Sequence, residues 1–233
     1  MNKEENYLYI GSGNSALNIK DKDLSNFTIV CANNAWRLFD KSFFDIWIHS
    51  GDFPKYNFPK EKNYKQEISY KDYSQTAQKA AEILNWKCSS PQHYAGYTIF
   101  FLGLYWIMIE RRPKKIGVLG FDHDYNPEKV KKWEESGKPN IQNKFNDPTV
   151  KNMNIWAAEF FKEMKQDSFY GQGTPDPLRL GTKHLFEKFE LAKNSAKQLE
   201  IKLVNYSMVT TGINTFDKEF LNLYKKYVNT INN

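Results

Sequence analysis

The side chains best suited to chemistry crowd into one short run, Gly120-Phe-Asp-His-Asp-Tyr125. It sets the Asp122 and Asp124 carboxylates, the His123 imidazole and the Tyr125 phenol side by side. Histidine is the usual carrier of protons near neutral pH, and a phenol can stabilise a charge that develops on a leaving group. Neighbours in a chain point in different directions, so only one or two of these groups can face a single ligand. The chain has three other histidines, His49, His93 and His184. A metal centre drawn from His49, His93, Asp122 and His123 would need ligand spacing such as HExxH; no such motif is present, and no metal site is expected.

Further polar bursts share one feature: each follows an apolar run. Gly11-Ser12-Gly13-Asn14 follows Tyr7–Ile10, Asn33-Asn34 follows Thr28–Ala32, and His49-Ser-Gly-Asp52 follows Phe44–Ile48. A glycine-rich loop lets backbone approach a phosphate at a helix start, although this one lacks the third glycine of a dinucleotide fingerprint and the lysine of a P-loop. The same residues also make an ordinary tight turn. Asparagines suit a ribose, base or phosphate, and equally a cap or turn. Arg179, in Gly173-Thr-Pro-Asp-Pro-Leu-Arg179, can clamp an anion or salt-bridge a helix entrance, and His184 follows it.

The apolar runs are the elements that would position these groups. Strands are predicted at Tyr7–Ile10, Thr28–Ala32, Phe44–Ile48, Glu67–Tyr70, Lys115–Leu119 and Ile201–Val204. Helices are predicted after Gly11–Ser15, at Gln75–Trp86, from about Gly96 to Arg111, and at 150–166, 180–198 and 217–231. Several strands lack period-two alternation, as strands covered on both faces do. The alternation of strands and helices indicates an α/β, doubly wound, mostly parallel Rossmann-like sheet with helices on both faces. In such sheets ligands bind at the carboxyl ends of the strands, where four of the polar bursts fall. The chain reads as one domain over 1–233, with residues 126–148 as a polar, lid-like excursion.

Composition restricts the function classes. The net charge of +6 is scattered without a long basic block, so it fits an anionic small ligand and gives no reason to expect nucleic acid. The 16% aromatic content can fill a core or line a pocket for flat or sugar-like ligands. The most apolar run, 95–109, is shorter than the roughly twenty residues of a membrane span. Two cysteines, Cys31 and Cys88, make no disulfide framework or zinc spacing, and Cys31 reads as a buried thiol. The start, MNKEENYLYI, lacks the apolar core of a signal peptide, and a cytoplasmic location is expected.

The order of these features resembles the bacterial sialyltransferases with a single Rossmann-like domain and the wider set of related proteins. Their first strand runs into a GNGPSL loop, matched here by Gly11-Ser-Gly-Asn-Ser-Ala16. Their CNQ becomes Ala32-Asn-Asn34, their GIDFY becomes Gly120-Phe-Asp-His-Asp-Tyr125, and their IKLY-like strand becomes Ile201-Lys-Leu-Val204. His49 stands where that family has an asparagine, and Ala95-Gly96 where it opens the central helix with Ser-Gly. Ser12 and Ala95 depart from the pattern.

The resemblance implies a glycosyltransferase that binds a nucleotide sugar of the CMP-sialic-acid kind and passes the sugar to a glycan or small-molecule acceptor. The nucleotide would lie at Gly11, Ser12, Gly13, Asn14, Asn33, His49, Gly96 and Asp122. The base would be His184 or, second, His123, with Tyr125 and Arg179 for the leaving phosphate. No cofactor is expected beyond the donor. The chain is also similar to pterin pyrophosphokinases of the same superfamily, in which Mg²⁺ would be held by Asp122 and Asp124. A third reading is a non-catalytic member that binds nucleotide or glycan.

Overall fold

A computed structural model describes residues 3–20, 22–51, 53–95, 98–122, 167–172, 182–207, 213 and 215–221. Seven strands form one parallel sheet: β1 Asn6–Ile10, β2 Thr28–Ala32, β3 Phe44–Ile48, β4 Tyr64–Ile68, β5 Lys115–Leu119, β8 Lys202–Asn205 and β9 Asp217–Lys218. The order is β4-β3-β2-β1-β5-β8-β9. A short antiparallel hairpin, β6 Asp167–Ser168 with β7 Gly171–Gln172, stands apart from it. The fold is therefore α/β and Rossmann-like, and the order of strands reverses between β1 and β5.

Burial on both faces explains the missing period-two alternation. Tyr7 and Tyr9 of β1, Val30 and Ala32 of β2 and Ile116 and Val118 of β5 point into one core. That core is closed by α1 Tyr70–Ile83, α2 Gln92–Ala95, α3 Ile99–Trp106 and α4 Thr182–Gln198. The intervening residues Leu8, Ile10, Ile29, Cys31 and Leu119 form the second core, under two 3-10 segments at Asn14–Ile19 and Asn33–Phe39. Both sets are apolar, so the sequence shows a continuous run. Cys31 is fully buried, as its apolar context predicts, and burial pushes its thiol up.

Several boundaries differ from the sequence reading. β4 begins at Tyr64, not Glu67, because Ile68 pairs with Ile48 and the strand runs back from there along β3. α1 begins at Tyr70, where the Asp72 carboxylate accepts the Ser69 amide at 2.8 Å and caps the first turn. The central apolar helix is α3 from Ile99, continued by a π turn over Ile107–Arg111. Arg112 ends it in the left-handed region at φ 49, just before Pro113. Asp217 opens no helix: Asp217 and Lys218 pair with Val204 and Asn205 as an edge strand. Its anchor is Glu219, which accepts from Lys115 at 2.6 Å and from Lys202 at 2.5 Å. Residues 126–148 and the helix predicted at 150–166 lie outside the described residues. Among the described residues no helix is long and apolar enough to cross a membrane.

Candidate functional site

Parallel pairing brings the carboxyl ends of β3, β2, β1 and β5 to one edge as four consecutive neighbours. The polar bursts after these strands therefore share one rim, and strand order reverses between β1 and β5, the place where sheets of this kind customarily bind ligands. The loop after β1 is locked to β5. The Gly11 amide donates to Leu119 O at 2.8 Å and the Gly13 amide to Gly120 O at 2.6 Å. A Cβ on Gly11 would stand 2.4 Å from Gly120 O, and one on Gly13 the same distance from the Asp122 carboxylate. Gly120 itself has φ +72, where a side chain would be strained. Here the glycines bring two pieces of backbone together at the base of the crevice.

Asp122 is the hub of this junction. Its Oδ2 accepts the Ser15 amide at 2.9 Å, and its Oδ1 accepts the Ser15 hydroxyl in a short bond. Ser15 Oγ in turn accepts the Gly120 amide at 3.0 Å and lies 2.9 Å from the Ser207 hydroxyl. Ser207 follows β8, so a fifth strand end joins the rim; the polar Asn205-Tyr-Ser207 run was the signal for it. Ser15 and Ser207 are buried, and Asp122 is half-buried. The carboxylate thus sits at the start of the 3-10 segment, where a Rossmann loop would present its donors to a phosphate.

Asn33 and His49 have structural work at the same rim. Asn33 adopts φ 46; its carbonyl accepts Trp47 Nε1 at 2.9 Å and its side-chain oxygen accepts the Ser50 amide at 3.2 Å. His49 is buried, with its ring 4.5 Å from Trp47 and 4.9 Å from Phe58. Its Nδ1 lies 3.0 Å from Ser50 O and its Nε2 lies 3.1 Å from Glu67. Both ring nitrogens are engaged, so His49 shapes the rim without offering it a free lone pair. His93 lies elsewhere, edge-on to Trp86 in α2, with its pKa lowered by burial and then by Lys188.

The hairpin covers part of this edge. The Phe169 amide donates to Ser12 O at 3.2 Å, and Asn34 Nδ2 donates to the Tyr170 hydroxyl at 3.1 Å. Arg37 joins them: its Nε donates to Asn34 Oδ1 at 3.3 Å, and its guanidinium lies 5.4 Å from the Tyr170 ring centre and 4.8 Å from that of Trp36. Arg37 and Tyr170 were not among the sequence candidates. The available signal was the Asn34/Arg37 spacing of three, which stacks two side chains on one side of a helical turn.

Gly11, Ser12, Gly13, Asn14, Asn33, His49 and Asp122 therefore gather along one rim. Gly96, His123, Tyr125 and Arg179 lie outside the described residues. His184 falls in the first turn of α4, and its side chain is likewise outside them. Among the described residues no three His, Cys, Asp or Glu side chains group as metal ligands. No family model matches the chain, and neither a curated protein nor a solved structure matches it.

Proposed function

We propose that the crevice between β1 and β5 binds a nucleotide sugar and that the protein transfers the sugar to an acceptor hydroxyl. The observation that carries this reading is the rim itself. Four neighbouring parallel strands end in polar loops beside the point where strand order reverses, and an aromatic hairpin reaches the segments after β1 and β2. Such a crevice suits a ligand with a flat base and a hydroxyl-rich sugar. The diphosphotransferase alternative would need Asp122 and Asp124 for a metal ion; both oxygens of Asp122 already accept from Ser15, and Asp124 lies outside the described residues. Metal-independent sugar transfer makes no such demand.

In that reaction the acceptor hydroxyl loses a proton while the bond from sugar to phosphate breaks. His184 is the first candidate for the base and His123 the second, with Tyr125 and Arg179 stabilising the departing phosphate. A nucleotide sugar of the CMP-sialic-acid kind is the first donor to try.

The test begins with thermal shifts in CMP, UDP, GDP and ADP. A nucleotide at a hundred times its Kd stabilises by about 2.7 kcal/mol, so a panel with no shift at millimolar concentration rejects the reading. With the matching donor, His184→Ala or His123→Ala should cut turnover by at least about a hundredfold and leave nucleotide affinity nearly unchanged. Turnover that neither variant affects removes both histidines from the mechanism. A nucleotide shift without any turnover supports the non-catalytic member instead.

A further inference from the structure

We infer that the phosphate or diphosphate moiety of the ligand is held by Arg37 beside the hairpin, and not by the glycine loop. The inference deepens the nucleotide-sugar reading and rests on it for the rest of the ligand.

The loop is a poor anion site because four of its amides are occupied. The Gly11 and Gly13 amides go to the carbonyls of Leu119 and Gly120, the Ala16 amide goes to Gly13 O at 3.0 Å, and the Ser15 amide goes to Asp122. A phosphate arriving there would also meet the Asp122 carboxylate, which is of like charge and sits where the anion would have to go.

Arg37 is the converse case. Among the described residues no carboxylate pairs with it. Its hydrogen bonds use only Nε, on Asn34, and Nη2, on Asn57 Oδ1 at a long 3.4 Å. Nη1 therefore remains to donate outward. The guanidinium is held in place by Asn34 and by the faces of Trp36 and Tyr170. A cation already placed by ring faces and by hydrogen bonds to two asparagines loses little freedom when it binds an anion, and its planar fork matches phosphate oxygens. Arg37 also stands on the lining of a cavity of about 820 Å³ with Lys20, Lys22, Lys41 and Lys65, opposed there by Asp23, Asp40 and Asp45. The hairpin reaches this place from Ser12 through Phe169 and Tyr170, so Arg37 adjoins the crevice.

Inorganic pyrophosphate tests this on the full-length protein, by ³¹P line broadening and thermal shift. Four proteins are compared: wild type, Arg37→Gln, Asp122→Asn and Lys79→Gln. Lys79 pairs with Glu110 on the opposite face of the sheet and controls for the loss of one positive charge. Urea midpoints establish that each variant is folded; exposed Arg37 should change the midpoint little.

Pyrophosphate should bind wild type and Lys79→Gln alike and should weaken at least about tenfold in Arg37→Gln. Asp122→Asn should bind it as well as wild type or more tightly. Failure to bind wild type at millimolar concentration overturns the inference. So does equal binding to wild type and Arg37→Gln. Arg37-dependent pyrophosphate binding together with a blank nucleotide panel upholds the anion site and rejects the nucleotide reading. A positive panel with Arg37-independent pyrophosphate binding does the reverse.

Discussion

Replacing Gly103 with alanine should destabilise the protein, although alanine is the better helix former. Gly103 lies in α3 against Tyr9 of β1, the residue that ends two positions before Gly11 and so seats the crevice loop. A Cβ at Gly103 would stand 2.2 Å from the Tyr9 hydroxyl oxygen and 2.6 Å from the ring carbon that bears it. The ring has nowhere to retreat. It is fully buried, its centre is 4.6 Å from that of Phe121 and 6.1 Å from that of Phe100, and its hydroxyl donates to Ile99 O at 2.8 Å.

Helix propensity would favour alanine by about 1 kcal/mol. Overpacking opposes it by about 1–3 kcal/mol, and a buried hydroxyl that loses its acceptor costs about 1–3 kcal/mol more. The net loss is about 1–5 kcal/mol. Urea unfolding followed by fluorescence should show a lower midpoint at unchanged slope. The sign should then reverse in a Tyr9→Leu background, where the ring is gone: there Gly103→Ala should be neutral or stabilising by up to about 1 kcal/mol. A Gly103→Ala protein as stable as wild type, or equal costs in the two backgrounds, would refute the described packing of β1 on α3.

His49→Ala should lower stability by about 2–4 kcal/mol, because it removes a buried ring and its bonds to Ser50 O and Glu67; the nucleotide Kd, measured by calorimetry on folded variant, should stay within about threefold, well under one hydrogen bond to a charged group. Glu219→Gln should change how stability depends on acid. The Lys115 bond first and the Lys202 bond second lower the Glu219 pKa, so its contribution is complete above the ordinary glutamate value. That contribution fades as pH falls through that value and the lower folded-state one. The wild type should exceed the variant by about 1 kcal/mol or less at pH 7, since the site is partly exposed, and the gap should close towards pH 3. Urea titrations at a series of pH values check this, and a gap that widens in acid would contradict the ion pairs.

The sheet was legible because each apolar run was bounded by residues that cannot continue a strand. Thr28–Ala32 and Phe44–Ile48 match residue for residue, and Lys115–Leu119 ends where Gly120 turns to φ +72. Strand order was not legible. Nothing local to β5 says that it lies beside β1, a decision taken by packing across the whole sheet. β9 was missed for the same reason: two residues, Asp217 and Lys218, carry no strand pattern, and their place depends on β8 and on lysines from two other strands. The helix boundaries shifted where a cap or a special backbone conformation overrode periodicity, at Asp72 and at Arg112.

The rim shows why polar residues at strand ends overstate a binding site. A strand buried on both faces ends at a place where its next backbone groups still need partners, and water is largely excluded. The first polar residues after such a strand are therefore drawn into the frame. Asn33 serves Ser50 and Trp47, His49 serves Ser50 and Glu67, and Asp122 serves Ser15. Residues one turn farther on are released from that duty. Arg37 lies four positions beyond Asn33, reaches back over Asn34, and has an Nη1 that makes no hydrogen bond among the described residues. On the proposal made for Arg37, the residues that frame the rim and the residue that grips the ligand's phosphate are offset by about one helical turn. A search confined to the strand ends finds the first set and misses the second.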